Sequence, residues 1–368
     1  WDQAAFGEEV TRPARDDHLA SGITKRALNH WCFCNSKTLF RRIRTEARFA
    51  EHRPVVVHAN YHQPKPPRMT AVYDRWHLGD KTALDRFRGE QGFTVPAPTL
   101  EKDFLHQIND GFVSGSNTRD ASAAIASGGC KPKPSKHGLS MNLHARGRVA
   151  CESSDSLCAA AAAVAKLWTS KTTGVDGQPV TTSDLVLVVG GSSQVEEIRL
   201  LLSSAKRASV SNLLLLLTDQ GAHDALGSDA PPIVTAKTAD QYEGRDEPVS
   251  IVQSVDSLLV LAGDAAGTTH TEGALGVAIA RYHVLARLLA HGFGVLSVSP
   301  ATVLLANPFE HLYRDADIEA MSTGWDDGSA YGYNHVLDDP SMGFTRFCHG
   351  SRIVSYEPGF FFAMPTTE

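Results

Sequence analysis

Apolar and polar positions alternate in blocks along the second half of the chain. An apolar run at 185–189 is followed by an amphipathic stretch over about 194–208 and then by a second apolar run at 212–217. Residues 258–262 read as another short strand, 274–291 as a long helix and 294–297 as a further strand. Short apolar runs alternating with helices of this length predict a largely parallel α/β sheet. Ligands of such sheets bind beyond the carboxyl ends of the strands, which directs attention to Asp219 and to the segment after Ser297. No G-x-G-x-x-G or G-x-x-x-x-G-K-[ST] string follows any of these runs, so a dinucleotide or P-loop reading has no local support.

The first part of the chain is patterned differently. Helix-like stretches at 22–44 and 67–88 flank Pro54-Val55-Val56-Val57-His58, whose β-branched triplet predicts a buried strand. Between the two parts lie Lys131-Pro132-Lys133-Pro134 and an alanine run at 159–163, inside a helix expected to end near Trp168. Three zones follow: 1–115, a low-complexity linker with one helix at 116–183, and 184–368.

Composition narrows the function classes. The 368 residues, 42% hydrophobic and 21% charged, suffice for one large core or two ordinary ones. Lys+Arg 35 against Asp+Glu 41 gives a formal charge of -6, so electrostatics alone draws the chain toward neither nucleic acid nor anionic lipid. The longest apolar runs fall far short of the roughly 18 to 20 residues of a membrane span, and a soluble chain is expected. It starts at Trp1 without a signal-like region, which is expected of a processed protein or an internal piece of a longer one. Six cysteines form no C-x-x-C array, so a structural zinc site is not expected, and their usage leaves the redox compartment open.

The most distinctive string is His58-Ala59-Asn60-Tyr61-His62, followed by Lys65 and Arg68. On a continuous strand the two imidazoles would stand about 13 Å apart, too far to share one metal ion. A strand ending near Asn60 would instead let one histidine reach a divalent cation and leave His62 or Lys65 for a phosphate. Polar residues capping a buried strand explain the string equally well.

Three pieces, Trp1-Asp2-Gln3, Asn35-Ser36-Lys37 with Leu39-Phe40, and the stretch 57–69, resemble in the same order the later half of plant and green-algal nucleotide-diphospho-sugar transferases. This is the arabinosyltransferase-like family that includes extensin arabinosyltransferases and rhamnogalacturonan xylosyltransferases. The stretch 184–366 resembles the earlier half, through Asn307-Pro308-Phe309, Arg314-Asp315-Ala316-Asp317-Ile318-Glu319, Trp325-Asp326, Ala330-Tyr331-Gly332-Tyr333 and Gly359-Phe360-Phe361. The halves thus stand in swapped order, as in a circular permutant or a window across two tandem transferase units. The unmatched linker favours the second arrangement.

The resemblance implies a GT-A-like fold, with a mostly parallel sheet flanked by helices. It also implies a retaining transfer of arabinose, galactose or xylose from a UDP-sugar to a cell-wall glycan or glycoprotein in the Golgi lumen, with no nucleic-acid partner. Family Mn2+ would sit on an Asp-x-Asp before Asn-Pro-Phe, where this chain has Ser299-Pro300-Ala301, so the ion is doubtful here. Asp315 and Asp317, or His58 or His62, are the remaining metal candidates. By the same resemblance Asp2 and Gln3 lie near the reacting sugar as catalytic candidates, and His58, Asn60, His62, Lys65, Arg68 and His283 line the nucleotide-sugar site. Tyr331 and Tyr333 could stack on an acceptor sugar. The competing expectation is a non-catalytic relative that keeps a nucleotide- or glycan-binding surface; a metal-free transferase using Lys65 or Arg68 lies between the two.

Overall fold

The computed structural model describes residues 25–60, 63–87, 130, 147–173, 179–255, 274–314, 316–324 and 356–366. In chain order its strands are β1 (Lys25–Ala27), β2 (Phe33–Asn35), β3 (Val56–His58), β4 (Lys166–Thr173), β5 (Pro179–Gly190), β6 (Leu213–Leu217), β7 (Val249–Val252), β8 (Phe293–Val298), β9 (Thr302–Leu304), β10 (Ile318–Ser322) and β11 (Tyr356–Ala363). The main helices are α1 (Lys65–Tyr73), α2 (Ser156–Val164), α3 (Val195–Arg207), α4 (Gln220–Leu226) and α5 (Ala274–Ala290). Two compact units result. One comprises Trp1–Lys136, Thr302–Tyr313 and Glu319–Gly359; the other comprises His137–Ala301, Arg314–Ile318 and Phe360–Glu368.

The second unit carries the predicted α/β pattern. Strands β8, β5, β6 and β7 lie side by side and parallel, with Val186 opposite both Leu296 and Leu213. Residues Phe360 to Ala363 of β11 run antiparallel to β8, and β4 runs antiparallel to β5. Leu213 to Leu217 are all fully buried, as expected of a parallel strand covered on both faces. α3 is amphipathic: Ile198, Leu201, Ser204 and Ala205 are buried, Glu196 and Glu197 open its first turn, and Lys206 and Arg207 close its last, matching the helix dipole at each end. α5 buries Ala280, Val284 and Leu288, a row spaced by four.

Two sequence expectations need correction. α2 ends at Val164, and Trp168 lies in β4. Asp155 caps the helix start by accepting from the Cys158 N–H at 3.0 Å, and Ala165 turns the chain extended at its end. The helix expected over 22–44 is likewise mostly absent: the described residues form β1 and β2 first, and helical turns begin only at Ser36. Asn35 caps that start, its Oδ1 accepting from the Thr38 N–H at 2.9 Å. The expected strand at 258–262 falls outside the described residues, whereas β7 was not anticipated.

In the first unit β2 pairs in parallel with β3, and β3 pairs antiparallel with β9. α1 continues through a π-type turn, Asp74–Leu78, and stops at Gly79, whose φ of 81° is the left-handed conformation glycine adopts without steric cost. Cys32 is bonded to Cys130 in this unit, and Cys151 to Cys158 in the second. Cys34 is a buried thiol, which burial pushes far above the usual thiol range.

Candidate functional site

In the second unit the carboxyl ends of β5, β6 and β8 come together. Gly190 and Gly191 leave β5 and lead through a short turn, Ser192–Gln194, into α3. Neither glycine has room for a side chain. A Cβ at Gly191 would lie 2.6 Å from Thr218 Oγ1 and 2.9 Å from Asp219 Oδ2, and one at Gly190 would lie 2.9 Å from Ile198 Cδ1 and 3.3 Å from Pro300 Cγ. The first two strand ends are tied by Asp219: its Oδ1 accepts from the Ala222 N–H at 2.7 Å, capping α4, and from the Ser192 hydroxyl, while its Oδ2 accepts from the Ser192 N–H at 3.0 Å. Partial burial works against the charged carboxylate, but the donors of Ser192, Ala222 and Thr218 outweigh it and hold Asp219 below the usual carboxylate range. Asp219 therefore opens a helix and braces a loop, and both its oxygens are engaged.

Ser299, Pro300 and Ala301 follow β8. The Ser299 hydroxyl oxygen accepts from the Ala301 N–H at 3.3 Å, and Ala301 is buried. One hydroxyl, already accepting a hydrogen bond and followed by two residues without side-chain donor atoms, does not make the carboxylate-rich cage a hard divalent ion requires. Among the described residues no three His, Cys, Asp or Glu side chains gather as a metal site. The residues at this strand end therefore do not fit Mn2+.

The first unit holds the other cluster. β3 ends at His58, and the Asn60 N–H donates back to the His58 carbonyl at 3.0 Å, so the chain turns directly after the strand. Asn60 Nδ2 donates to Glu357 Oε2 at 2.7 Å, and Asn60 Oδ1 accepts from the Ser36 N–H at 3.4 Å. His58 Nδ1 faces Glu357 Oε1 at 3.7 Å, and the Gly359 N–H donates to that same oxygen at 3.2 Å. Gly359 must be glycine, since a Cβ there would fall 2.1 Å from His58 Cε1. Behind them Asn35 Nδ2 donates to the carbonyls of Thr323 at 3.2 Å and Gly324 at 2.8 Å.

The other predicted residues that the structure describes belong to different elements. Arg68 is buried, its guanidinium 4.7 Å from the centre of the Phe87 ring and 5.6 Å from that of Phe40. Lys65 opens α1, half-buried, and His283 is half-buried on α5. Asp317 is buried, its carbonyl accepting from the Met364 N–H at 2.8 Å. Asp2, Gln3, His62, Asp315, Tyr331 and Tyr333 lie outside the described residues. Sequence reasoning missed Glu357, a lone acid before Pro358-Gly359 that looks like turn chemistry. It also missed the Gly190-Gly191-Ser192-Ser193 string, which was legible as a tight loop directly after a strand.

A parallel sheet with paired loops at its carboxyl edge has the layout of a GT-A-like nucleotide-sugar transferase fold, and the sequence model of the nucleotide-diphospho-sugar transferase family matches residues 1–69 and 255–368. Over these two stretches the chain belongs to that family, whose members generally depend on a metal ion. It is similar to Arabinosyltransferase RRA2 and Arabinosyltransferase RRA1 of Arabidopsis thaliana, 31% identical to each over 183 residues. The aligned part is 50% of this chain but 37% and 40% of those two proteins, so the chain spans well under half of their length. No solved structure gives a significant match.

Proposed function

We propose that this chain is the nucleotide-sugar-handling part of a cell-wall glycosyltransferase of arabinosyltransferase type. It takes a UDP-sugar at the carboxyl edge of the parallel sheet and serves transfer of arabinose, galactose or xylose, with retained configuration, to a cell-wall glycan or glycoprotein. The observation that carries this reading is the braced edge itself: two close-packed glycines at the end of β5 and Asp219 after β6, which accepts from Ser192 and Ala222, tie the two strand ends together at the carboxyl edge, where ligands of such sheets bind. The two disulfides among the described residues suit the oxidising lumen of the secretory pathway, and we place the protein in the Golgi. Among the described residues no helix is long and apolar enough to cross a membrane. We read residues 1–115 as the later half of one transferase unit and 184–368 as the earlier half of the next.

Ser299-Pro300-Ala301 favours a second reading, a non-catalytic relative that binds the nucleotide without turning it over, because the carboxylates that would neutralise a departing diphosphate are missing from this strand end. Incubation with UDP-arabinose, UDP-galactose or UDP-xylose separates the two. Sugar transfer to a cell-wall glycan acceptor supports the transferase, binding without transfer or hydrolysis supports the relative, and absence of binding by any of the three refutes both.

A further inference from the structure

Residues 25–87 hold 13 of the 35 Lys and Arg of the chain but only 5 of its 41 Asp and Glu, a formal +8 within a protein of -6. Net charge therefore conceals a basic region. Three of its cations, Arg26, Lys37 and Arg68, are buried. Five others form one connected strip within the first unit. Arg42 and Arg48 share the Glu46 carboxylate, and Arg75 donates to the Ala50 carbonyl at 3.4 Å. Arg86 meets Asp74, the residue before Arg75, at 3.1 Å, and Arg53, three residues on from Ala50, donates to the Leu305 carbonyl at 2.8 Å. The side chains of Arg48 and Arg86 are each 47% exposed, so these forks meet solvent. Of the five N–H donors of a guanidinium, Arg48, Arg53, Arg75 and Arg86 each commit one or two among the described residues, which fixes the fork and leaves donors over. Their field is felt inside as well: burial first, then Arg42 and Arg48, lower the His30 pKa to about 3.

A planar fork matches a carboxylate with paired hydrogen bonds, and a row of forks matches a partner that repeats the carboxylate. A polyuronate carries one on every sugar. In the secretory lumen the strip meets neither nucleic acid nor the anionic cytoplasmic leaflet. We propose that this arginine strip is a docking surface for an acidic glycan, its forks taking the carboxylates of successive uronate sugars. The choice of a glycan over an acidic protein rests on the cell-wall-glycan reading above.

The test uses the full chain, with oligogalacturonate, its uncharged methyl ester, poly-glutamate and phosphatidylserine vesicles as probes. Oligogalacturonate is expected to bind about tenfold or more tightly than each of the others, and to weaken as salt is raised. In the unmodified chain the bound oligomer shields Arg48, Arg53 and Arg86 from an arginine-directed dicarbonyl reagent, while the exposed Arg199 and Arg245 of the second unit react as before. Arg53→Gln with Arg75→Gln and Arg86→Gln lowers the affinity about tenfold or more and leaves UDP affinity unchanged. The corresponding triple lysine variant, which keeps the charge but not the fork, recovers only part of the loss. Equal binding of the methyl ester, tighter binding of poly-glutamate or of vesicles, no binding of the oligomer, or arginines left unshielded would each overturn the proposal. A chain that holds the oligomer but binds no UDP supports the strip while refuting the nucleotide site, and one that binds UDP but not the oligomer does the reverse.

Discussion

Arg314 donates to the carboxylate of Asp184 from a backbone with φ of 58°, inside the buried core of the second unit. A left-handed arginine is strained, and here it is held by what surrounds the guanidinium: the Trp168 ring at 4.7 Å, the Phe362 ring at 5.1 Å and the Thr182 hydroxyl at 3.4 Å. Burial pushes the Asp184 carboxyl up, and Arg314 opposes that shift. Its other oxygen, Oδ1, has no hydrogen-bond partner among the described residues and sits where a Gly294 Cβ would come within 2.1 Å. Removing Arg314 strands a buried charge. Arg314→Met is expected to cost about 3 to 5 kcal/mol in urea unfolding, and Asp184→Asn in the same background to recover part of it. A loss below about 1 kcal/mol would mean that the pair contributes little.

Acid should weaken the first unit through His30. Burial first, then the nearby charges of Arg42, Arg48 and His52, lower its pKa to about 3, so it is neutral when folded and takes a proton when unfolded below about pH 6.5. The stability linked to it is complete above pH 6.5 and is lost as the pH falls toward 3. Between pH 7.5 and 5 the loss amounts to about 2 kcal/mol. Urea midpoints at the two pH values should therefore differ less in His30→Asn than in the unmodified chain; identical pH slopes would refute the assignment.

Asp219 should couple stability to ligand affinity. Asp219→Ala removes the α4 cap, at a cost of about 1 kcal/mol, and frees Ser192, so UDP affinity falls with it. Asp219→Asn retains an equally good cap and is expected to keep most of the stability. An Asp219→Ala protein of unchanged UDP affinity would show that the braced loop does not face the nucleotide.

The sheet was largely legible because its strands are buried on both faces: five leucines in β6 leave no alternative to a covered parallel strand, and the stripe of α3 points to the core it packs on. β1 and β2 were not legible. Their extended form depends on partners far away in sequence, Val56 opposite Phe33 and the Ala320 carbonyl taking the Leu28 N–H, and local periodicity carries no trace of either. The His58 to Arg68 string was recognised, but its described members meet different partners. His58 and Asn60 meet at Glu357, almost 300 residues away in sequence, while Arg68 is drawn into an aromatic pocket. What decides the cluster is that long-range carboxylate, which no spacing rule announces.

Restoring the missing ligands should create a metal response. Ser299→Asp with Ala301→Asp places two carboxylates after β8, and Pro300→Val removes the fixed φ that would misdirect them. Ala301 is buried, so the triple variant is expected to unfold at lower urea without metal and to gain both stability and UDP affinity when Mn2+ is added. A triple variant that folds and stays indifferent to Mn2+ would show that this strand end does not face the diphosphate.

Calorimetric titration of UDP into the unmodified chain, once with Mn2+ and once with a chelator, tests most directly the claim that the nucleotide edge is intact and its metal ligands are gone. Binding of UDP with the same affinity in both is the predicted result. Binding that appears only with Mn2+ would contradict it, and if that binding disappeared in Asp315→Ala the ion would belong to the segment of Asp315 and Asp317. Absence of UDP binding in both titrations would remove the nucleotide site itself.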